Sequence, residues 1–113
     1  MPAKLSHVIE FVADMERAVR FYRDTMGLPL KFQSPEWSEF ATGEITLALH
    51  PASNRTPAGK IELGFHVPDL QSWHADRTTK GVQFPMPPKK QDYGGMLARF
   101  VDSEGSHVSV TAR

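Results

Sequence analysis

The sequence repeats one pattern of residues twice, and this repeat constrains the fold more than any other feature. The motif Val-x-Asp-(Met/Leu) occurs at residues 12–15 and again at residues 67–70. Gly27 and Gly81 follow the two motifs at nearly the same offset. A third match in register is the series Phe40, Gly43, Leu47 and Leu49, which returns as Phe100, Gly105, Val108 and Val110. The chain is therefore expected to contain two copies of one structural unit.

Each copy carries the pattern of one helix and four short strands. Alternating apolar residues predict a first strand over residues 5–12 and over residues 60–67. Asp14 and Asp69 follow as N-cap residues, and helical spacing then runs to Gly27 and Gly81. This spacing assigns six side chains to the core: Met15, Phe21, Tyr22, Met26, Leu70 and Trp73. The other predicted strands are residues 29–33, 36–41 and 44–50 in the first copy, and 82–84, 96–102 and 106–111 in the second.

The predicted fold class is α+β, with two tandem βαβββ modules in one domain over residues 1–113. Module one covers residues 4–50, a linker covers residues 51–59, and module two covers residues 60–112. Each helix is expected to cover one face of its own sheet and to leave the other face open. Two such curved sheets side by side are expected to form an open cleft that holds a ligand.

Charge and composition exclude several classes of function. Thirteen basic residues balance thirteen acidic ones, so the net charge attracts neither nucleic acid nor an anionic membrane. The absence of cysteine excludes disulfides and thiolate metal sites. The first residues lack the apolar core of a signal peptide, and no apolar run approaches the roughly 20 residues that cross a bilayer. A cytoplasmic location is expected.

Three segments, residues 7–15, 18–30 and 100–108, resemble the vicinal oxygen chelate superfamily, which includes glyoxalase I, bleomycin-resistance proteins and extradiol dioxygenases. The string Ala18-x-x-Phe21-Tyr22, followed by Gly27-Leu28, is similar to the first helix of these proteins. The resemblance covers essentially the whole chain. It implies a glyoxalase-like fold, a small-molecule ligand and a homodimer, but it does not specify a reaction, because this scaffold supports many chemistries.

The resemblance also implies a set of four metal ligands, one on the first and one on the fourth strand of each module. These positions fall on His7, Ala48, Glu62 and Ser109. Only His7 and Glu62 carry good ligand atoms, so they are the predicted catalytic and metal-binding residues. Such a pair suits one divalent ion, Zn²⁺, Ni²⁺, Fe²⁺ or Mn²⁺, with open positions for substrate oxygens. The alternative is a hydrogen bond between imidazole and carboxylate, with no metal.

Other residues are candidates for binding the substrate. His50 and His107 are two residues from Ala48 and Ser109, so strand alternation predicts that they share a face with those positions. Trp37 and Phe40 have opposite parity, which favours Trp37 as an aromatic wall and Phe40 as core. Tyr93 lies in the segment 85–95, which is either a lid hinged at two glycines or a stiff, proline-rich connection.

Three functions remain open at this stage. The first is a metal-dependent lyase, isomerase or dioxygenase that acts on a small, oxygen-rich substrate. The second is a metal-free protein that binds a drug or metabolite, similar to the bleomycin-resistance branch. The third is metal-free acid–base catalysis by His7, Glu62 or His107.

Overall fold

The computed structural model describes residues 3–112, which divide into two compact units. One unit is formed by residues 6–61, and the other by residues 62–112 together with residues 3–5. Each unit contains one helical segment and a mixed sheet, which confirms the predicted α+β class and the two βαβββ modules. Within the described residues, neither helix has the length and apolar character needed to cross a membrane.

The first module begins with a strand and a helix that the sequence caps as expected. The Asp14 side chain accepts a hydrogen bond from the Arg17 N–H at 3.1 Å, which satisfies one of the free donors at the helix start. The strand order is β2-β3-β4-β1, with β1 parallel to β4 and the other pairs antiparallel. The elements are β1 (Lys4–Val12), α1 (Met15–Arg20), β2 (Leu30–Gln33), β3 (Ser38–Ala41) and β4 (Thr46–Pro51).

The helix of the first module differs from the prediction in its second half. After α1 the chain continues as a π-helical segment, Phe21–Thr25, in which the Met26 N–H donates to the Phe21 carbonyl at 3.0 Å. Gly27, with φ +74°, then ends the segment as predicted. The wider π turn changes the rotation from one side chain to the next. Phe21 and Met26 are therefore 48% and 57% exposed, and their assignment to the core is wrong.

The second module repeats this plan with a longer helix. The Asp69 side chain caps it by accepting from the Ser72 N–H at 3.1 Å, and Gly81 follows its end with φ +91°. The strand order is β5-β8-β7-β6, with β5 parallel to β8. The elements are β5 (Ile61–His66), α2 (Leu70–Thr79), β6 (Met86–Lys90), β7 (Met96–Val101) and β8 (His107–Ala112).

The second strand of the second module does not lie where the sequence predicts it. The predicted strand at residues 82–84 is wrong, because the strand is β6, inside the segment predicted to be a lid or connection. β6 lies at the edge of its sheet and, among the described strands, pairs with β7 alone. Pro87 and Pro88 are tolerated there because an edge strand needs hydrogen bonds on one side only, and proline has no N–H to donate. Only residues 91–95 remain as a turn, closed by the Gln91 N–H donating to the Gly95 carbonyl at 2.8 Å.

Each module has its own core between its helix and its sheet. In the first module the core is formed by Val12, Val19, Phe40 and Leu49. In the second it is formed by Val67, Leu70, Ala98, Val110 and Ala112. Because side chains alternate along a strand, these contacts identify which residues lie on the opposite face of each sheet.

Candidate functional site

Three polar side chains meet on the face of the second-module sheet that lies opposite α2. Arg99 and Ser109 are direct partners across β7 and β8. Glu62 lies on β5, two residues before Gly64, which is the partner of Ser109 across β5 and β8. Strand alternation separates these side chains from the core, so the module presents a carboxylate, a hydroxyl and a guanidinium together.

Glu62 is a buried carboxylate with partners. It is 9% exposed and Ser109 is 6% exposed. The Ser109 hydroxyl donates a hydrogen bond to Oε2 of Glu62, and Nε of Arg99 lies 3.5 Å from the same oxygen. That separation is an ion-pair distance and is too long for a good hydrogen bond. A buried charge is stable only when it is paired or hydrogen-bonded, and these two contacts meet that requirement.

The equivalent face of the first module carries aromatic rings and imidazoles. The ring of Trp37, which immediately precedes β3, lies 6.1 Å from the ring of His7 and 6.3 Å from that of His50. His50 in turn lies 5.2 Å from the ring of Phe11. The Trp37 indole N–H donates to the Glu39 carboxylate at 2.7 Å, which fixes the orientation of the indole.

Ala48 lies under this cluster. It is fully buried, and Trp37 packs against the group of residues to which Ala48 belongs. Glu39 is the direct partner of Ala48 across β3 and β4. The small side chain at position 48 therefore gives the indole room to lie across the sheet.

Several predicted site residues have partners within their own module. Glu62 meets Ser109 in the second module, and Trp37 contacts the rings of both His7 and His50 in the first. His107, at the start of β8, is exposed, and Tyr93, in the turn before β7, is 72% exposed. The roles predicted for all of these residues, and the pairing of His7 with Glu62, stay predictions.

Arg99 was missed by sequence reasoning. It shares its strand parity with Leu97 and Val101, so parity along the strand was the signal available for it. The identity of its partner depended on the strand register, which the sequence does not show. Glu39 was expected to share a face with Trp37 because the two have the same parity, but it was given no role.

On the helix side of the first module, Tyr22 is bound to a carboxylate of β1. Its hydroxyl donates to Oε1 of Glu10 at 2.5 Å. This hydrogen bond, together with burial and the negative charge of Glu10, raises the pKa of Tyr22 to about 12 from 10.0. The interaction therefore favours the neutral phenol in the folded state.

The stabilisation by the Tyr22 hydroxyl is expected to disappear in strong alkali. A pKa that is higher in the folded than in the unfolded chain gives a contribution that is complete below pH 10 and is lost as the pH rises towards 12. The variant Tyr22→Phe should be less stable by about 1 kcal/mol at neutral pH, and the difference should vanish over that range. Urea unfolding of both proteins against pH measures it, and a difference that persists at pH 12 contradicts the expectation.

Comparison with known proteins agrees with the fold and with the sequence resemblance. The family model described as the Glyoxalase/Bleomycin resistance protein/Dioxygenase superfamily matches residues 4–110. The chain belongs to this superfamily, whose members bind small molecules and often use a divalent metal ion. It is also 26% identical, over an alignment 125 positions long, to the uncharacterized protein YraH of Bacillus subtilis strain 168, and the alignment covers 95% of this chain and 96% of YraH.

Solved structures with low sequence identity share the fold. The hypothetical protein BH1468 from Bacillus halodurans C-125 has a TM-score of 0.79 at 17% identity, covering 100% of this chain and 96% of that chain. Methylmalonyl-CoA epimerase from Mycobacterium tuberculosis has a TM-score of 0.77 at 18% identity, covering 96% and 87%. A protein described as NAD-dependent benzaldehyde dehydrogenase from Legionella pneumophila has a TM-score of 0.77 at 20% identity, covering 98% of each chain.

The side chains of this protein do not fit a four-ligand metal centre. Ala48 has no donor atom, and the hydroxyl of Ser109 donates to Glu62. The carboxylate of Glu62 already faces a fixed positive charge, because Arg99 lies 3.5 Å away. Within residues 3–112, no group of three or more His, Cys, Asp or Glu side chains is arranged to hold a metal ion. The donor set therefore departs from the one implied by the superfamily at two of four positions.

Proposed function

We propose that this protein binds a small, oxygen-containing molecule and catalyses proton transfer on it, with Glu62 as the proton acceptor. The observation that carries the proposal is the buried Glu62 carboxylate with both of its partners on one oxygen. The Ser109 hydroxyl donates to Oε2, which is also the carboxylate oxygen nearest to Nε of Arg99, and Oε1 accepts no hydrogen bond from the residues that the structure describes. One oxygen is thus held in place while the other is left for a substrate.

The chemistry of such a group supports a lyase or isomerase. A positioned carboxylate removes a proton from a carbon next to a carbonyl group, and a general base of this kind contributes about 100- to 10,000-fold to a rate. Burial excludes competing water from the carboxylate, and Ser109 and Arg99 limit its rotation. Membership of a superfamily of small-molecule proteins is consistent with this function.

Hydrogen–deuterium exchange at carbon tests the proposal without knowledge of the substrate. The protein is incubated in D₂O with a panel of ketones, 2-oxo acids and thioesters, and the loss of carbon-bound protons is followed by proton NMR. We expect protein-dependent exchange for one class of compound. Binding in ligand-observed NMR without exchange of any bound compound would contradict catalysis and favour the drug- or metabolite-binding alternative.

A metal-dependent form of the same function rests on His7 and Glu62. His7 precedes Val12 by the same interval as Glu62 precedes Val67, so the two residues are equivalent in the repeat. Metal analysis of protein purified without chelator tests this form. Stoichiometric Zn²⁺, Ni²⁺, Fe²⁺ or Mn²⁺ would support it, whereas no bound metal and no gain in exchange on adding these ions would contradict it.

We also propose that the protein is a homodimer. The first module exposes large apolar side chains that a monomer would leave in water, namely Phe21, Met26 and Phe32, the last of which is 53% exposed. Light scattering after gel filtration measures the mass of the wild type and of Phe32→Lys. A monomeric wild type contradicts the proposal.

The cytoplasmic location stays a prediction from the sequence.

A further inference from the structure

Arg99 has hydrogen-bonding capacity that the chain does not use. Its Nε is buried and has no hydrogen-bond partner in the part of the chain that the structure describes. We propose that Arg99 anchors a carboxylate group of the ligand that binds beside Glu62. The proposal rests on the function proposed above and names the chemical class of its ligand, a small organic carboxylate.

The contact with Glu62 does not use the hydrogen-bonding capacity of the Arg99 guanidinium. Oε2 of Glu62 accepts a hydrogen bond from the Ser109 hydroxyl, and Nε of Arg99 lies 3.5 Å from that same oxygen. A guanidinium that served only Glu62 would be expected to approach within about 2.9 Å in a charge-assisted hydrogen bond. The Nε–H group of Arg99 thus lies beside Glu62 without a hydrogen bond to it.

The outer part of Arg99 is within reach of a ligand. Its side chain is 38% exposed, whereas the side chain of Glu62 is only 10% exposed. The guanidinium keeps its charge at all relevant pH values and presents pairs of parallel N–H groups, which match the two oxygens of a carboxylate. An anion bound at this edge would lie next to the proton acceptor.

The residues around Arg99 favour an organic anion over an inorganic one. Leu97 and Val101 share the strand face of Arg99 and are half-buried, so apolar side chains flank the guanidinium along β7. A short hydrocarbon chain would contact them, whereas a phosphate ion would gain nothing from them. The geometry therefore points to a carboxylate that carries a small carbon skeleton.

Titration with simple probes tests this assignment. Amide signals in ¹⁵N–¹H spectra are followed while sodium butyrate, butyramide or inorganic phosphate is added to the full chain. We expect butyrate to shift signals of β7 and β8, and the uncharged butyramide to bind at least about tenfold more weakly. Phosphate binding at this position more tightly than butyrate would overturn the carboxylate assignment.

Variants connect the binding to Arg99. Arg99→Gln should weaken butyrate binding by about 10- to 100-fold, and Arg99→Lys should retain part of the affinity because it retains the charge. Lys31→Gln is the matched control, since it removes one positive charge that lies 3.9 Å from Glu39 in the other module. Equal binding by wild type and by a folded Arg99→Gln protein would overturn the inference.

The two proposals fail in different ways. Carbon exchange of an uncharged compound by the wild type, with no effect of butyrate, would refute the role of Arg99 and leave Glu62 as the proton acceptor. Butyrate binding that depends on Arg99, with no exchange of any compound, would refute catalysis and leave the anion site.

Discussion

Replacement of Glu62 by glutamine is expected to lower the rate of carbon–hydrogen exchange by about 100- to 10,000-fold, because the variant loses the proton acceptor. Glutamine has nearly the same shape, and its amide oxygen still accepts the hydrogen bond that Ser109 donates to Oε2. Exchange rates of the purified variant and wild type, measured by proton NMR at one protein concentration, give the ratio directly.

A second carboxylate of the chain provides the control. Glu39→Gln makes the same chemical change on the sheet of the first module, where Glu39 accepts from the Trp37 indole. We expect it to reduce exchange far less than Glu62→Gln. Ser109→Ala, which removes one donor and leaves the base, should give an intermediate loss. Full activity in a folded Glu62→Gln protein would show that another group takes the proton.

The repeat predicted the framework of the fold because its signals are local. The Asp14 and Asp69 side chains cap their helices by accepting from N–H groups three residues further on. Such contacts form within one helical turn, so a short segment of sequence contains all the information that they need. The same holds for Gly27 and Gly81, which take up positive φ where the helical segments end.

The errors in the fold have two causes, a strand partner that is distant in sequence and a change in the helical repeat. The sequence predicted that Pro87 and Pro88 lie in a lid or a connection. They lie instead in β6, which hydrogen-bonds to the described strands on one side only. The exposure of Phe21 follows from a π turn whose hydrogen bond links Phe21 to Met26, and the apolar spacing gives no sign of it. Local propensity does not report edge position or a change of helical repeat.

The candidate site was predicted only in part, because some of its contacts depend on strands that are distant in sequence. Alternation placed Trp37 and Phe40 on opposite faces, and Phe40 is fully buried in the core as expected. The superfamily resemblance drew attention to Glu62. The contact of Arg99 with Glu62 joins β7 to β5, two strands that are not sequence neighbours, and it depends on the register of both with β8. No pattern within one strand encodes that register.

Replacement of Phe40 by alanine is expected to destabilise the protein by about 3–5 kcal/mol, since it leaves a cavity in the first core. Phe40 is fully buried beside Val12, Val19 and Leu49, and its ring lies 5.8 Å from that of Tyr22. A loss of this size is a large part of the roughly 5–15 kcal/mol that stabilises a typical domain. Urea unfolding followed by circular dichroism measures it.

The matched variant Phe32→Ala removes the same ring from a position that is 53% exposed. Measured at a protein concentration low enough to keep the chain monomeric, it should cost less than about 1 kcal/mol, because little apolar contact within the chain is lost. Similar losses for the two variants would show that burial by the helix does not determine the stability of this module.

Because Phe40 and Trp37 lie on opposite faces of one sheet, a partly folded Phe40→Ala protein should also lose the ring contacts of Trp37 with His7 and His50. The core and the aromatic face of the first module are therefore expected to unfold together, which tryptophan fluorescence during the same titration would detect in a Trp73→Phe background, where Trp37 is the remaining indole.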